Sequence, residues 1–129
     1  MSRRRQLILF FTAAVGMGAA GGIHEAIFNN FLKDMFQLSA EARGWLEFPR
    51  ELPGFLVAAL AGVLTGLSIT SVGATAAVIF GLGMAGLAGL GESWWPMLAM
   101  MVLASAGMHL LQPMSTSVAL SLSDSTGRG

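Results

Sequence analysis

Cysteine is absent from this 129-residue chain, which excludes a disulfide framework, a thiolate metal site and a thiol nucleophile. Charge is scarce: 11% of the residues are Asp, Glu, Lys or Arg, against about 25% in soluble domains. Hydrophobic residues make up 54%, and the mean hydropathy is +0.69, the balance of an integral membrane protein whose first partner is the lipid bilayer. A formal net charge of zero removes the basic stripe that nucleic acid demands, so no nucleic-acid partner is expected. No GxxxxGK[ST] run occurs, and GLGMAG, Gly81 to Gly86, sits inside an apolar run as packing, not as a phosphate loop. Ser115, Ser117, Ser121 and Ser123 have no suitable base around them. His109 has no second His, Cys or carboxylate at ligand spacing. The expectation is therefore no enzyme, no cofactor and no metal.

What is present is four apolar runs, about 7–32, 45–67, 70–90 and 94–120, each long enough for a hydrocarbon core that takes roughly 20 residues of helix to cross. Backbone groups in lipid must be satisfied within the segment, and runs of this length without period-2 alternation are helices. The expected fold is all-α: a polytopic transmembrane bundle of four spans, with residues 1–6 as the N-terminus, a polar loop at 33–44, two very short connections, and 121–129 as a tail or the start of a further loop. Short connections make antiparallel neighbours. Arg3, Arg4 and Arg5 precede the first span, which by the positive-inside rule puts both termini in the cytoplasm, with the protein in the plasma or inner membrane. Trp45, Trp94 and Trp95 then fall at the outer ends of spans two and four, as an aromatic belt does. SRRRQLILF also resembles a twin-arginine signal, with AAVGMGAAGG as a possible cleavage region. An uncleaved first helix accounts for more residues, because the apolar run continues through Ile23, Ile27, Phe28 and Phe31.

Small residues recur at four-residue steps: Ala14, Gly18, Gly22 and Ala26; Gly54, Ala58, Gly62 and Gly66; Gly73, Ala77, Gly81, Ala85 and Gly89. Such stripes let helices approach closely in lipid, so Gly18, Gly22, Gly54, Gly62 and Gly81 are the expected packing residues, and Gly81→Leu is expected to disrupt the bundle. Met97, Met100, Met101 and Met108 are expected to fill packing gaps.

Polar groups inside the spans carry whatever chemistry exists, since an ionisable group near the bilayer centre costs roughly 2.5 to 3.5 kcal/mol on insertion scales. The first span holds His24, Glu25, Asn29 and Asn30, and the second opens with Glu47, Arg50 and Glu51, which share a face with Gly54 through spacings of three, four and seven. At about 1.5 Å per residue, Glu25 lies on the order of 10 Å deep, and Arg50 and Glu51 roughly 8 to 9 Å, so an antiparallel pair brings them to one level. Arg50 is expected to neutralise Glu25, Glu47 or Glu51. Two roles stay open: a cavity in which one carboxylate exchanges a proton or binds a cationic group, and a structural ion-pair network joining the first two helices. Pro49 and Pro53 are placed in the first turns of the second helix, where a missing N–H costs least, or bend it. His109 and Gln112, one turn apart before Pro113, are placed deeper, towards the cytoplasmic end.

The first helix ending IFNNFL, the polar loop, RGWLEFPRELPGF opening the second helix, the glycine-rich third and a fourth ending GMHLLQPMSTSVAL resemble the N-terminal part of a major facilitator superfamily transporter. The likeness covers nearly the whole chain but only the first four of such a family's twelve helices. It departs at GVLTGLSITSVGATA, where Thr65 stands near the position of the family's loop aspartate and no basic residue follows. The resemblance implies an ion- or proton-coupled secondary transporter of a small solute, working by alternating access. It implies that helices one and four line the cavity, so that His24, Glu25, Asn29, Asn30, His109 and Gln112 are candidate substrate or coupling residues, and that Glu47, Arg50 and Glu51 form an outer gate or coupling element. It implies a fragment whose partners are the missing C-terminal helices and an unidentified small-molecule substrate. Two other readings stay open: a self-contained four-helix small multidrug exporter acting as a homodimer, and a non-transporting membrane scaffold.

Overall fold

The apolar runs form four long helices. The structure, a computed structural model, describes residues 2–64 and 66–124. In chain order the elements are α1 (Arg3–Phe36), α2 (Ala40–Ala59), the single turn α3 (Ala61–Leu64), α4 (Ile69–Leu90) and α5 (Trp94–Asp124). Thr65 and residues 125–129, which carry part of the expected loop and tail, lie outside the described residues. Residues 121–124 continue α5.

Among the described residues three helices are long and apolar enough to cross a membrane: the stretches Arg4–Phe36, Ile69–Leu90 and Trp94–Leu120. The fourth long helix, α2, has 20 residues and carries Glu41, Arg43, Glu47, Arg50 and Glu51, so it is not among the three. Its limits also differ from the expected 45–67. Ser39 accepts a hydrogen bond from the Ala42 N–H at 3.1 Å and caps the helix five residues earlier than Trp45, with Glu41 in the first turn where the helix dipole favours an anion. Correspondingly α1 runs past Leu32 through Phe36, and the expected loop at 33–44 shrinks to Gln37–Ser39. Gln37 closes α1 in the left-handed region, φ 53°, and its side-chain amide donates to the Asp34 carbonyl at 2.9 Å. The earlier start puts Pro49 and Pro53 in the interior of α2, not in its first turns, so the carbonyls of Trp45 and Pro49 lose their usual helical partners.

α4 and α5 form the tightest pair. Gly83 lies against the Ala104 backbone, Gly86 against the Met100 side chain and Gly107 against the Phe80 backbone. Contacts rise along one helix as they fall along the other, so the hairpin is antiparallel. α2 lies along α5 in the same direction, Arg50 level with Ser105 and Gly54 with His109. α1 joins them through its second half, where Glu25 meets Arg50 and Phe36 meets Trp94.

Most glycines of the small-residue series do not make these contacts. A Cβ added at Gly18, Gly22 or Gly81 meets nothing within 4 Å, whereas one at Gly54 would meet His109 on α5. The reason is geometric: a four-residue step overshoots one turn by about 40°, so a series from Gly73 to Gly89 drifts most of the way to the opposite face. The face α4 uses alternates steps of four and three, Ala76, Phe80, Gly83 and Leu87.

The buried core sits where α1 ends and α2 and α5 begin. Phe28, Leu32, Met97 and Met101 form it, with Phe31, Phe36, Leu46, Leu87 and Trp94 packed around. Rings run in file along α1, from His24 to Phe28 at 4.8 Å, Phe28 to Phe31 at 6.1 Å and Phe31 to Phe36 at 6.0 Å, and reach α5 at Trp94, 5.4 Å from Phe36. Met97 has no exposed surface. Met97→Ala is expected to destabilise the protein by about 2–5 kcal/mol, read from its unfolding midpoint in mixed detergent micelles. Outward faces carry Phe11, Val15, Ile23 and Ile27 on α1 and Val78 and Leu82 on α4, all exposed, a surface suited to lipid.

Candidate functional site

The spacing of α2 puts Glu47, Arg50, Glu51 and Gly54 on one face, and the packing turns that face towards both α1 and α5. Arg50 is the hub. Its Nη2 lies 2.6 Å from Glu47 Oε2, one turn back on the same helix. Its Nη1 lies 3.2 Å from each oxygen of Glu25 on α1 and donates a hydrogen bond to Oε1. Its Nε lies 3.7 Å from Glu51 Oε1, beyond hydrogen-bonding reach, and is buried without a partner. The three carboxylates expected as alternatives for Arg50 thus all surround it.

α5 supplies the other wall. His109 Nε2 stands 3.3 Å from Glu51 Oε2, also buried and without an aligned hydrogen bond. The Ser105 hydroxyl, itself buried, donates to the Arg50 carbonyl. Gly54 makes room for the imidazole: a Cβ there would lie 2.8 Å from His109 Cε1 and 2.9 Å from Nδ1. His109 therefore belongs to the charge cluster, in contrast to its expected place deeper and apart. The correction follows from the parallel course of α2 and α5 from neighbouring starting points, which levels Glu51 with a residue near the middle of α5.

Burial divides the group. The Arg50 side chain is 16% exposed and that of His109 15%, whereas Glu25, Glu47 and Glu51 are 54%, 43% and 44% exposed. The cation is the enclosed component and the anions flank it on its open side. One guanidinium faces three carboxylates, so with all three ionised and His109 neutral the group carries two uncompensated negative charges. That excess of negative charge attracts cations. Among the described residues no three His, Cys, Asp or Glu side chains converge as metal ligands.

Of the remaining candidates, His24 alone lies within electrostatic reach of Glu25 and Arg50. His24 is half-buried with its ring over Phe28. Asn29, Asn30 and Gln112 are exposed and outside the cluster. The Gln112 carbonyl accepts the Thr116 hydroxyl at 3.1 Å, one of three such back-bonds with Ser115 to Leu111 and Ser117 to Pro113 around Pro113, which lies inside the continuous α5. Sequence reasoning passed over Ser105. Its signal was its place one turn before His109 on the same face of α5.

Comparison of the chain with protein-family models, with curated proteins and with solved structures finds no match.

Proposed function

We propose that the chain is the N-terminal portion of a secondary transporter of the major facilitator type, carrying a small solute by alternating access with ion or proton coupling. The observation that carries this reading is three carboxylates gathered around one enclosed guanidinium between α1, α2 and α5. Charge of that kind among apolar helices marks a pathway for substrate or ions. In this reading α1 and α5 line the cavity, Glu25 with Glu47, Arg50, Glu51 and His109 form the coupling element, and further helices of the same transporter complete the cycle. In this reading both termini face the cytoplasm across the plasma or inner membrane, which the positive-inside rule applied to Arg3 to Arg5 supports. A homodimeric four-helix exporter is the second reading, favoured by the open Cβ positions at Gly18 and Gly22 on α1 and at Gly81 on α4, which leave room for another copy.

The test is reconstitution, in liposomes containing a pH-sensitive dye, of the transporter complete with those further helices and, for the second reading, of the four-helix chain alone, each challenged with a panel of sugars, carboxylates, amines and hydrophobic cations. A solute-dependent proton movement is expected, and Glu25→Gln should abolish it while leaving insertion intact. No proton movement with any solute from the correctly folded complete transporter overturns the coupled-transporter reading; flux from the four-helix chain alone, where crosslinking shows a dimer, assigns the second.

A further inference from the structure

The three apolar helices fix the two ends of the bundle. Phe36, the last residue of α1, meets Trp94, the first of α5, edge to face with ring centroids 5.4 Å apart. The α4–α5 connection comes to that same end, where a Cβ at Gly91 would lie 3.3 Å from Phe31 Cζ. Since α4 runs antiparallel to α5, with Phe80 against Gly107 and Gly83 against Ala104, its first residue, Ile69, stands at the opposite end. Between Gln37 and Ser68 the chain must therefore pass from one end of the bundle to the other. α2 makes that passage beside α5 and in the same direction: its Arg50 carbonyl accepts the Ser105 hydroxyl, and one turn on its Gly54 faces His109. Its 20 residues rise about 30 Å, the thickness of a hydrocarbon core. Where α1, α4 and α5 cross a bilayer, α2 crosses with them, although its charge keeps it from counting as a span by composition.

The exposure of α2 is that of a helix in an apolar solvent. From Gly44 to Ala59 no exposed residue is polar, while Glu47, Arg50 and Glu51 lie on the side of α1 and α5. Trp45, Phe48, Leu52 and Phe55, at steps of three and four, form one stripe and are 75%, 67%, 42% and 68% exposed. In water this polarity would be inverted, with ionisable groups turned in and aromatic rings turned out. Lipid acyl chains reverse the preference, and the stripe then continues the outward apolar faces of α1 and α4, on which Ile23, Ile27, Val78 and Leu82 are exposed. We propose that α2 is a fourth membrane-crossing helix, held in place beside α5, and that lipid acyl chains cover its Trp45, Phe48, Leu52 and Phe55 face. The charge cluster accordingly lies between crossing helices, with no need for α2 to lie on the membrane surface.

This holds whether or not the protein carries a solute, so its test reads no transport. The chain has no cysteine, and single cysteines report their own surroundings in it; the complete protein is used, with any cysteine beyond Gly129 replaced by serine. In sealed membrane vesicles of one orientation, a membrane-impermeant maleimide is expected to label Gln37→Cys and Glu92→Cys from the same side. Ser68→Cys is expected to lose nearly all labelling from that side and to gain it when the other side is opened. Gln37→Cys and Glu92→Cys labelled from opposite sides would mean that α2 does not cross. Spin labels at Phe48→Cys, Leu52→Cys and Phe55→Cys in lipid nanodiscs then identify what covers the stripe. Each is expected to collide several-fold more with dissolved oxygen than with a water-soluble nickel chelate. Preference for the nickel chelate would put the stripe in water. Low collision with both would put it under protein, a second copy or a further helix, and either result overturns the lipid face. All these positions are exposed, so the variants test placement without disturbing the core.

Discussion

Gly107→Leu is expected to destabilise the protein by about 3 kcal/mol or more, while Gly81→Leu leaves it folded. Both are glycines in apolar helices, and both substitutions add the same volume. They differ in what the new side chain meets. A Cβ at Gly107 would lie 2.6 Å from Phe80 Cα and closer still to the Phe80 nitrogen, and backbone atoms have no rotamer into which to retreat. The same holds at Gly83, where the obstacle is the backbone of Ala104. Overpacking of a well-packed site costs about 1–3 kcal/mol when side chains can yield, and here α4 and α5 must move apart instead. At Gly81 a Cβ meets nothing within 4 Å, so the leucine adds one more apolar group to an outward face. Reversible unfolding in mixed micelles, with helix content followed by circular dichroism, checks both. Equal loss from the two variants would mean that the α4–α5 contact is not where the structure puts it.

This pair of variants also shows where the sequence was legible. Glycine abundance and helical apolar runs were plain, and they determine that the helices pack closely. Which glycines do so depends on the rotation of each helix about its axis, and a regular four-residue series is a misleading guide because it precesses around the helix. The used face, Ala76, Phe80, Gly83 and Leu87, has mixed steps that stand out only once its partner on α5 is known. The charge cluster was easier to read, because ionisable residues are rare in this chain and the order of helices brings Glu25 and Arg50 to one level. His109 was harder. Its place beside Glu51 depends on α2 beginning at Ala40, which the Ser39 cap decides, and on α2 and α5 running in the same direction. A cap serine ahead of Ala–Glu–Ala was visible in the sequence, but the tryptophan and the apolar run after it drew the boundary to Trp45.

Arg50→Gln is expected to cost more than the loss of any one of its partners, about 2–3 kcal/mol. Removing one member of a buried ion pair costs roughly 3–5 kcal/mol, because the partner is left uncompensated. The figure is lower here because Glu25, Glu47 and Glu51 are about half exposed and screened by their surroundings. Glu47→Gln removes the shortest contact, 2.6 Å, yet leaves Arg50 with Glu25 and Glu51 beside it, so about 1 kcal/mol is expected. The two changes are not additive, since they share one network. With Arg50 gone, Glu47 is a repelling anion next to Glu51 on the same helix, and its neutralisation becomes favourable. The double variant Glu47→Gln/Arg50→Gln should therefore be more stable than Arg50→Gln alone, and adding Glu25→Gln should recover more. A double-mutant cycle of unfolding free energies reads this out. Additive losses would show the carboxylates to be independent surface groups, whereas recovery on successive neutralisation would show one cation holding three anions against their mutual repulsion.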